Sequence, residues 1–442
     1  MAPQKKKARG SGVKARQDIT DSRRVLETIK QVKDGTFRVT KSGRGGKYLV
    51  RRTLRPSGFK LLLEEELAKP KNQELLDYFN GDEFRFDYTH RPSKDEKQLV
   101  IHLPSPFQTG MVKCMRKVLS EWLENIATGK IGKKGNMKNE TMRVAGEISS
   151  SLSTKVHGDR SKHEQFQPDL SYTYRDSVVP DLAIDVVWSG SDLNLRSRAG
   201  HYMESEDGPV QTIVGLDMAD IYDGSRHATF SIWRAKRHLH EWVWDNVVPP
   251  TEFIDGNGEP KKGSMLVLST YDFIGLKKAG KCKVFEKILL GIDAPRLHIM
   301  YKVAFSLQLI ADAAEKLTQV TQDANESLEE VIGLEQIIAQ GQITGGNNQG
   351  TVIGEEELAN AMEAMSQLED DIARMRAMMQ GAVNMIDKVK DGVEKMPTEI
   401  KDDLAKLEKR RAELESTVVD RETKLAKAKA AMQSVVGVKA RE

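Results

Sequence analysis

The pattern of apolar and polar positions divides the chain into a mixed α/β part and a helical part. Residues 181–188 (DLAIDVVW) are rich in β-branched and aromatic residues and lie between Pro180 and a Ser-Gly-Ser turn, which predicts a buried strand. The runs 212–216 and 228–233 predict two more strands, and LNLRSRAGHYM between the first two predicts a helix. Strand, helix, strand, strand in this order indicates an α/β core.

Upstream of this core, the pattern predicts further elements of both kinds. EFRFDY (83–88) alternates as a strand does, QLVIHL (98–103) predicts a second strand, and residues 109–126 carry the apolar stripe of an amphipathic helix. Residues 59–79 predict two short helices that are separated at Pro70.

The C-terminal third has a seven-residue period. Apolar or small residues recur every seven positions over 303–339, a Gly/Asn-rich linker comes next, and strict heptads run over 358–396 and again, after Pro397, over 404–435. Sustained heptads with charged flanks predict an α-helical coiled coil over 300–436. The helices can fold back within one chain or pair between chains, so we expect self-association or a protein partner through this region.

One residue breaks the apolar pattern of the central strand. Asp185 is an acid in the middle of DLAIDVVW. Burying a lone carboxylate is costly unless it is paired, hydrogen-bonded or bound to a metal. The strand therefore predicts a partner for Asp185.

The residues around Asp185 carry a resemblance. Pro168-Asp169 lies sixteen residues before Asp185, small polar residues come after the acidic strand, an Arg-bearing helix ends at Tyr202, and strands reading IVGLD and FSIWR come next. This series, over residues 81–290, resembles the PD-(D/E)XK nucleases, the restriction-endonuclease-like superfamily, and a divergent fungal branch of it in particular. The resemblance implies a mixed central sheet flanked by helices over residues 81–295.

The resemblance also implies a metal site and its ligands. Asp169 and Asp185 on neighbouring strands, with the backbone carbonyl of Val186, would hold Mg²⁺ or Mn²⁺, and Glu147 is the candidate for an extra acid. Phosphodiester hydrolysis uses such a cation to polarise the phosphoryl oxygen and to activate a water.

The chain departs from the family pattern at the position of the catalytic lysine. That position, two residues after the acid, is Val187. Arg196 and Arg198 lie on the next helix, and Arg198 best matches the place to which some members move the cation. An arginine stabilises charge but is a poor proton shuttle. Whether the chain is an active deoxyribonuclease therefore stays open from the sequence.

The charge is concentrated at the N-terminus. Residues 1–60 hold 18 Lys and Arg against 4 Asp and Glu, whereas the formal net charge of the whole chain is +3. We expect a disordered basic arm over 1–20 and a basic region over 21–80. The arm is either a nuclear-localisation or nucleic-acid-binding segment or a solubilising tail. The candidate DNA contacts are Lys5, Lys6, Lys7, Arg44, Lys47, Arg51 and Arg52.

Two functions remain open at this point. The first is a Mg²⁺-dependent DNA endonuclease or DNA-processing protein acting in the nucleus, with cytoplasmic residence as the other location. The second is a catalytically inactive nuclease-fold protein that serves as a DNA-binding or coiled-coil scaffold. No apolar run approaches the roughly 20 residues of a membrane helix, so no membrane partner is expected.

Overall fold

A computed structural model describes most of residues 9–309 and scattered helical residues beyond. The described stretches are 9–37, 49–81, 84–91, 96–103, 105–132, 136–152, 154–158, 164–175, 177–188, 194–218, 227–238, 241–275 and 287–309, with isolated positions between 311 and 430. The chain divides into two units, Met1–Ala304 and Phe305–Glu442.

The first unit is mixed α/β, as the sequence predicted. Its helices are α1 (Arg9–Lys33), α2 (Pro56–Leu61, which continues as a π-helix over Leu62–Leu67), α3 (Gln73–Asn80), α4 (Pro106–Ala127), α5 (Asn136–Gly146) and α6 (Leu195–Met203). Its strands are β1 (Leu49–Thr53), β2 (Arg85–Arg91), β3 (Glu96–His102), β4 (Ile148–Ser151), β5 (Val156–His157), β6 (Gln165–Phe166), β7 (Leu170–Tyr174), β8 (Leu182–Trp188), β9 (Thr212–Met218), β10 (Ala228–His238), β11 (Glu241–Ile254), β12 (Met265–Ser269) and β13 (Leu289–Asp293).

The strands form two larger sheets and one hairpin. The first sheet is antiparallel and has the order β1-β3-β2-β6-β5, and the second has the order β11-β10-β9-β8-β7-β4. In the second sheet β8 and β9 are parallel, and the other neighbours are antiparallel. Strands β12 and β13 form a separate antiparallel pair.

Strand β8 is buried along its whole length, because the second sheet carries a helix on each face. Successive side chains of a strand point to opposite faces. Trp188 meets Phe107 of α4 on one face, whereas Ala183 packs with Ala199 of α6 on the other. Gly215 on β9 permits this second contact, since an added Cβ would lie 2.9 Å from Leu195 Cδ1.

The first sheet shares its core with the N-terminal helices. Phe59 of α2 stacks on Tyr88 of β2 at 4.2 Å between ring centroids, and Val25 and Ile29 of α1 are buried in the same cluster. Strands 83–88 and 98–103 were predicted as part of a domain beginning at residue 81. The structure instead places β2 and β3 in one core with residues of the 21–80 region.

Helix α1 differs from the disordered arm that the charge pattern predicted over 1–20. Residues 9–20 belong to α1, and residues 1–8 lie outside the described part of the chain. Asp18 accepts a hydrogen bond from Ser57 Oγ at 2.6 Å, and Ser22 Oγ donates to the carbonyl of Gly58 at 2.7 Å. These contacts fix α1 on α2, so its basic side chains lie on a folded element.

The second unit is helical at its described positions. Arg376 Nη2 lies 2.5 Å from Glu422 Oε1, which brings residues before and after Pro397 together within one chain. Most of the heptad positions of the predicted coiled coil lie outside the described residues, and the coiled coil stays a prediction. Among the described residues no helix is long and apolar enough to cross a membrane.

Candidate functional site

Asp169 and Asp185 lie side by side at the centre of the second sheet. Asp169 directly precedes β7, Asp185 is in the middle of β8, and Leu170 pairs with Ile184 between these strands. The backbone N–H of Asp169 donates to Asp185 Oδ1 at 3.2 Å. The two side chains are buried, with 4% and 2% of each residue exposed.

Asp169 is surrounded by protein donors. Its Oδ1 accepts hydrogen bonds from Arg85 Nη1 and, at 2.5 Å, from Gln108 Nε2. Its Oδ2 accepts from the backbone N–H of Val186 at 2.6 Å. Gln108 Nε2 also approaches the carbonyl oxygen of Val186 at 3.5 Å, so this carbonyl faces the same space.

Asp185 is paired with Arg198, the arginine that we identified from the sequence as the candidate cation. Arg198 Nε donates to Asp185 Oδ2 at 2.8 Å, and the hydroxyl of Tyr202 donates to Asp185 Oδ1 at 3.3 Å. Arg198 and Tyr202 lie four residues apart on α6, which places them on one face of that helix. Arg196 is exposed, and Val187, at the position where the resemblance implies a lysine, is buried at 3% exposure.

A third acid, Asp87 of β2, joins the two carboxylates. Arg198 Nη1 donates to Asp87 Oδ2, which also accepts from His102 Nε2 at 2.9 Å. The carbonyl oxygen of Gln167 accepts from Arg198 Nη2 at 2.9 Å and from Arg85 Nη2 at 3.0 Å. We call Asp87, Asp169, Asp185, Arg85 and Arg198 together the carboxylate centre.

The carboxylate centre joins the two large sheets. Arg85 and Asp87 come from the first sheet, Asp169 and Asp185 from the second, and Gln167 lies where the chain passes from β6 to β7. The Gln167 side chain accepts from the N–H of Phe86 at 2.7 Å, and the backbone N–H of Gln167 donates to Asp87 Oδ1 at 3.2 Å. The carboxylate centre therefore fixes strand β2 of the first sheet against strands β7 and β8 of the second.

Electrostatics keeps Asp87 ionised despite its burial. Burial alone would raise the pKa of Asp87, but the charge of Arg198 and the His102 hydrogen bond lower it well below the usual range. Burial lowers the pKa of His102, so its ring is neutral near pH 7. Burial also opposes the charge of Arg198, yet Asp185 and Asp87 raise the pKa of that guanidinium.

As arranged, the carboxylate centre does not fit a magnesium ion. All four carboxylate oxygens of Asp169 and Asp185 already accept hydrogen bonds, and two guanidinium groups neutralise these acids. Magnesium requires octahedral oxygen ligands and retains several waters, which needs space next to free carboxylate oxygens. In the described part of the chain no group of three His, Cys, Asp or Glu residues is placed to hold a metal.

Glu147 lies away from these acids. Its carboxylate accepts from Arg143 Nη1 at 2.6 Å and from Arg175 Nε at 2.7 Å, between α5 and the end of β7. The Arg175 hydrogen bond is the main cause that lowers the pKa of Glu147 to about 2. The predicted extra acid is thus a half-exposed ion-pair partner, because the chain turns from α5 into β4 at this residue.

The candidate DNA contacts are described only in part. Arg51 is exposed, and Arg52 is half-buried with its guanidinium 6.0 Å from the ring centroid of Phe37. Arg52 Nε also donates to Thr28 Oγ1 on α1 at 3.3 Å. Lys5, Lys6, Lys7, Arg44 and Lys47 lie outside the described residues.

Sequence reasoning missed Arg85, Asp87, His102, Gln108 and Gln167. A weak signal existed in EFRFDY, because its aromatic residues occupy one face of the strand and Arg85 and Asp87 the other. A polar face of this kind predicts exposure to solvent, and the sequence does not show that another sheet covers it. No family model, curated protein or solved structure matches the chain.

Proposed function

We propose that this protein is a non-catalytic nucleic-acid-binding scaffold whose carboxylate centre holds the fold together. The observation that carries the proposal is the neutralisation of the candidate metal ligands. Arg85 forms a hydrogen-bonded ion pair with Asp169, and Arg198 forms such pairs with both Asp185 and Asp87. Charges that already have partners within the protein serve packing and orientation of the two sheets.

A stripe of cations on α1 supports the nucleic-acid part of the proposal. Arg16, Arg23 and Lys30 are exposed and spaced seven residues apart, which places them on one face of the helix. The buried stripe, which includes Ser22, Val25 and Ile29, lies on the opposite face. We call Arg16, Arg23 and Lys30 the α1 cation stripe.

The geometry of this stripe suits a phosphate backbone. Seven residues of helix span about 10.5 Å, so the three cations extend over about 21 Å. Arg23 keeps 67% of its side chain exposed even though its Nε lies 3.6 Å from Glu66 Oε1. Binding of such cations to phosphates releases counterions and needs no base contact. The partner that fits is duplex DNA, held without sequence preference by these residues.

Assembly through the C-terminal heptads completes the proposed scaffold. The ion pair of Arg376 with Glu422 supports folding back across Pro397 within one chain. Self-association or capture of a protein partner would then use the outer faces of these helices. Nuclear residence is proposed with DNA as the partner, on the basis of the basic N-terminus.

Salt-dependent DNA binding tests the scaffold proposal. We would measure the affinity of the full chain for a short duplex by fluorescence anisotropy over a series of salt concentrations. In the variant Arg16→Gln/Arg23→Gln/Lys30→Gln the slope of log K against log salt should become shallower by about 2.7, since each phosphate contact contributes about 0.9.

A second triple variant controls for net charge. Lys236→Gln/Lys261→Gln/Lys262→Gln removes three exposed positive charges in β10 and around the β11–β12 connection. It should keep the slope of the wild type. If the stripe variant and this control behave alike, the α1 cation stripe does not bind DNA.

A second candidate function, a Mg²⁺-dependent endonuclease, has one observation in its favour. Asp169 and Asp185 are adjacent, and Arg198 contacts Asp185 directly. The Val186 carbonyl oxygen and Asp169 Oδ1 both lie within reach of Gln108 Nε2. These are the ligands and the cation that the nuclease resemblance implies. This function would require Arg85 to leave Asp169.

Plasmid nicking with Mg²⁺ or Mn²⁺ separates the two candidates. The scaffold proposal predicts no cleavage by the wild type with either cation. Cleavage that is lost in Asp185→Asn and kept in Arg196→Ala would overturn it in favour of the nuclease, provided that circular dichroism shows Asp185→Asn to be folded.

A further inference from the structure

A cavity of about 310 Å³ opens between the second sheet and the β12–β13 hairpin, away from the carboxylate centre. Pockets of a few hundred Å³ are of the size that takes small organic ligands. The polar lining consists of groups from the start of β9, from β10 and from the segment after β12. The lining includes Gln211, Arg234, Val267, Asp272, Lys287 and Leu289.

The polar side of the cavity has an excess of positive charge. Asp272 is buried and accepts from Arg234 Nε at 2.7 Å and from Arg234 Nη2 at 3.2 Å. Thr212 Oγ1 and the N–H of Ser269 also donate to this carboxylate, at 2.9 and 2.7 Å. Arg234 and the exposed Lys287 against Asp272 leave a net charge of +1, which suits one anionic group.

Arg234 keeps donors for such a group. Its Nε and Nη2 form the fork on Asp272, and Nη1 has no acceptor among the described residues. The Arg234 side chain is 32% exposed, so an oxyanion can reach Nη1 without displacing Asp272. A guanidinium that is already fixed by a buried carboxylate loses little freedom when it binds an anion.

Gln211 adds a further acceptor. Its Nε2 donates to the carbonyl of Pro209 at 3.1 Å, whereas its buried Oε1 has no hydrogen-bond partner among the described residues. Gly275, with φ +66°, leaves room for this side chain, because an added Cβ would lie 2.8 Å from Gln211 Cγ. Oε1 has almost no accessible surface, so the Gln211 amide turns toward the cavity when an N–H or O–H of a ligand satisfies this oxygen.

The remaining wall is apolar and exposed. Val267 is 39% exposed and Leu289 is 61% exposed, and both line the cavity. These residues lie on the same face of the hairpin, since Leu289 pairs with Ser269, two residues from Val267. A ligand that covered them would remove apolar surface from water.

We propose that this cavity binds a small amphipathic monoanion. A carboxylate of the ligand lies against Arg234 and Lys287, a hydrogen-bond donor meets Gln211 Oε1, and an apolar group covers Val267 and Leu289. The site is independent of the nucleic-acid proposal, because it uses none of the residues of the α1 cation stripe or the carboxylate centre.

N-acetyl-leucine is a suitable probe, since it has a carboxylate, an amide N–H and a branched apolar group. Its binding to the full chain can be titrated by saturation-transfer difference NMR. N-acetyl-leucinamide, which lacks the charge, should give no saturable signal. Benzoate and inorganic phosphate, tested in the same way, show whether the site prefers a carboxylate with an apolar group or any oxyanion.

Two variants test the assigned contacts. Lys287→Gln and Gln211→Leu should each raise the dissociation constant of N-acetyl-leucine about tenfold, because each removes one directed polar contact. Lys262→Gln, an exposed lysine outside the cavity lining, should leave it unchanged. Absence of saturable binding of every probe, or an equal loss in Lys262→Gln and Lys287→Gln, would overturn the proposal.

Discussion

Arg198 donates hydrogen bonds to four groups in and next to the carboxylate centre. Its guanidinium donates to Asp185, Asp87, the carbonyl of Gln167 and, at 2.5 Å, the hydroxyl of Tyr202. Breaking a buried ion pair by removing one partner is strongly destabilising, since the other charge remains in a site that excludes water. The role of this residue can therefore be measured as stability.

Arg198→Met should lower the free energy of unfolding by about 3–5 kcal/mol, because it leaves Asp185 and Asp87 without their main cation. Arg196→Met, an exposed neighbour on the same helix, should change it by no more than about 0.5 kcal/mol. Urea unfolding monitored by circular dichroism gives both values. Equal effects of the two variants would mean that Arg198 does not hold the sheets together.

The neutral ring of His102 makes stability depend on pH. Because burial lowers the pKa of His102 below 6.5, the unfolded chain takes up a proton first as the pH falls. The stability that this group contributes is complete above pH 6.5 and is lost as the pH falls toward the lower pKa of the folded state. The midpoint temperature of thermal unfolding of the wild type should therefore decrease as the pH is lowered from 7 to 5.

His102→Gln isolates this contribution from those of the other histidines. Glutamine keeps a donor for Asp87 but does not titrate, so the variant should lose less stability than the wild type over the same pH range. The comparison needs only thermal unfolding curves at matched ionic strength. Identical pH profiles for the two proteins would contradict a neutral His102 in the folded state.

At the scale of elements, periodicity in the sequence predicted the local structure, whereas the contact between the two sheets was missed. The apolar run of β8, the amphipathic stripe of α4 and the helix α6 were predicted and confirmed, since each pattern is local. Asp87 was missed because its strand alternates like one with a solvent face. Only the packing of the first sheet against the second turns that face into the interior.

Helix α1 was missed for a different reason. The density of cations in residues 1–20 predicts disorder, but Lys14 and Arg16 lie exposed on a helix whose buried stripe has few apolar residues. Val25 and Ile29 supply the apolar contacts, and Asp18 and Ser22 supply hydrogen bonds to the next helix. Composition alone cannot distinguish such a helix from a solvated tail.

Truncation of an apolar side chain tests whether α1 belongs to the core. Ile29→Ala should lower the free energy of unfolding by about 2–5 kcal/mol, since the side chain is fully buried. Ile19→Ala removes the same atoms from a residue that is 40% exposed on the same helix and should cost much less. If both variants are as stable as the wild type, α1 is not part of the core.

At the scale of the whole molecule, the chain consists of an α/β unit and a helical unit. In the proposed function the first unit binds DNA through α1, and the second supplies assembly. The heptads over 358–396 and 404–435 predict that fragment 355–436 is helical alone, because each helix exceeds the roughly 12–15 residues below which isolated helices are marginal.

Circular dichroism and sedimentation of this fragment decide how the helices pair. If the contact of Arg376 with Glu422 forms within one chain, helicity should not depend on concentration. Loss of helicity on dilution would indicate pairing between chains instead. A fragment that is unfolded at all concentrations would contradict the coiled-coil prediction itself.

Calorimetric titration of the full chain with Mg²⁺ tests whether arginines rather than a metal neutralise the carboxylate centre. We predict that the wild type and Asp185→Asn give the same isotherm, without a saturable site, because Arg85 and Arg198 already pair with the carboxylates. Stoichiometric Mg²⁺ binding by the wild type that disappears in folded Asp185→Asn would contradict it.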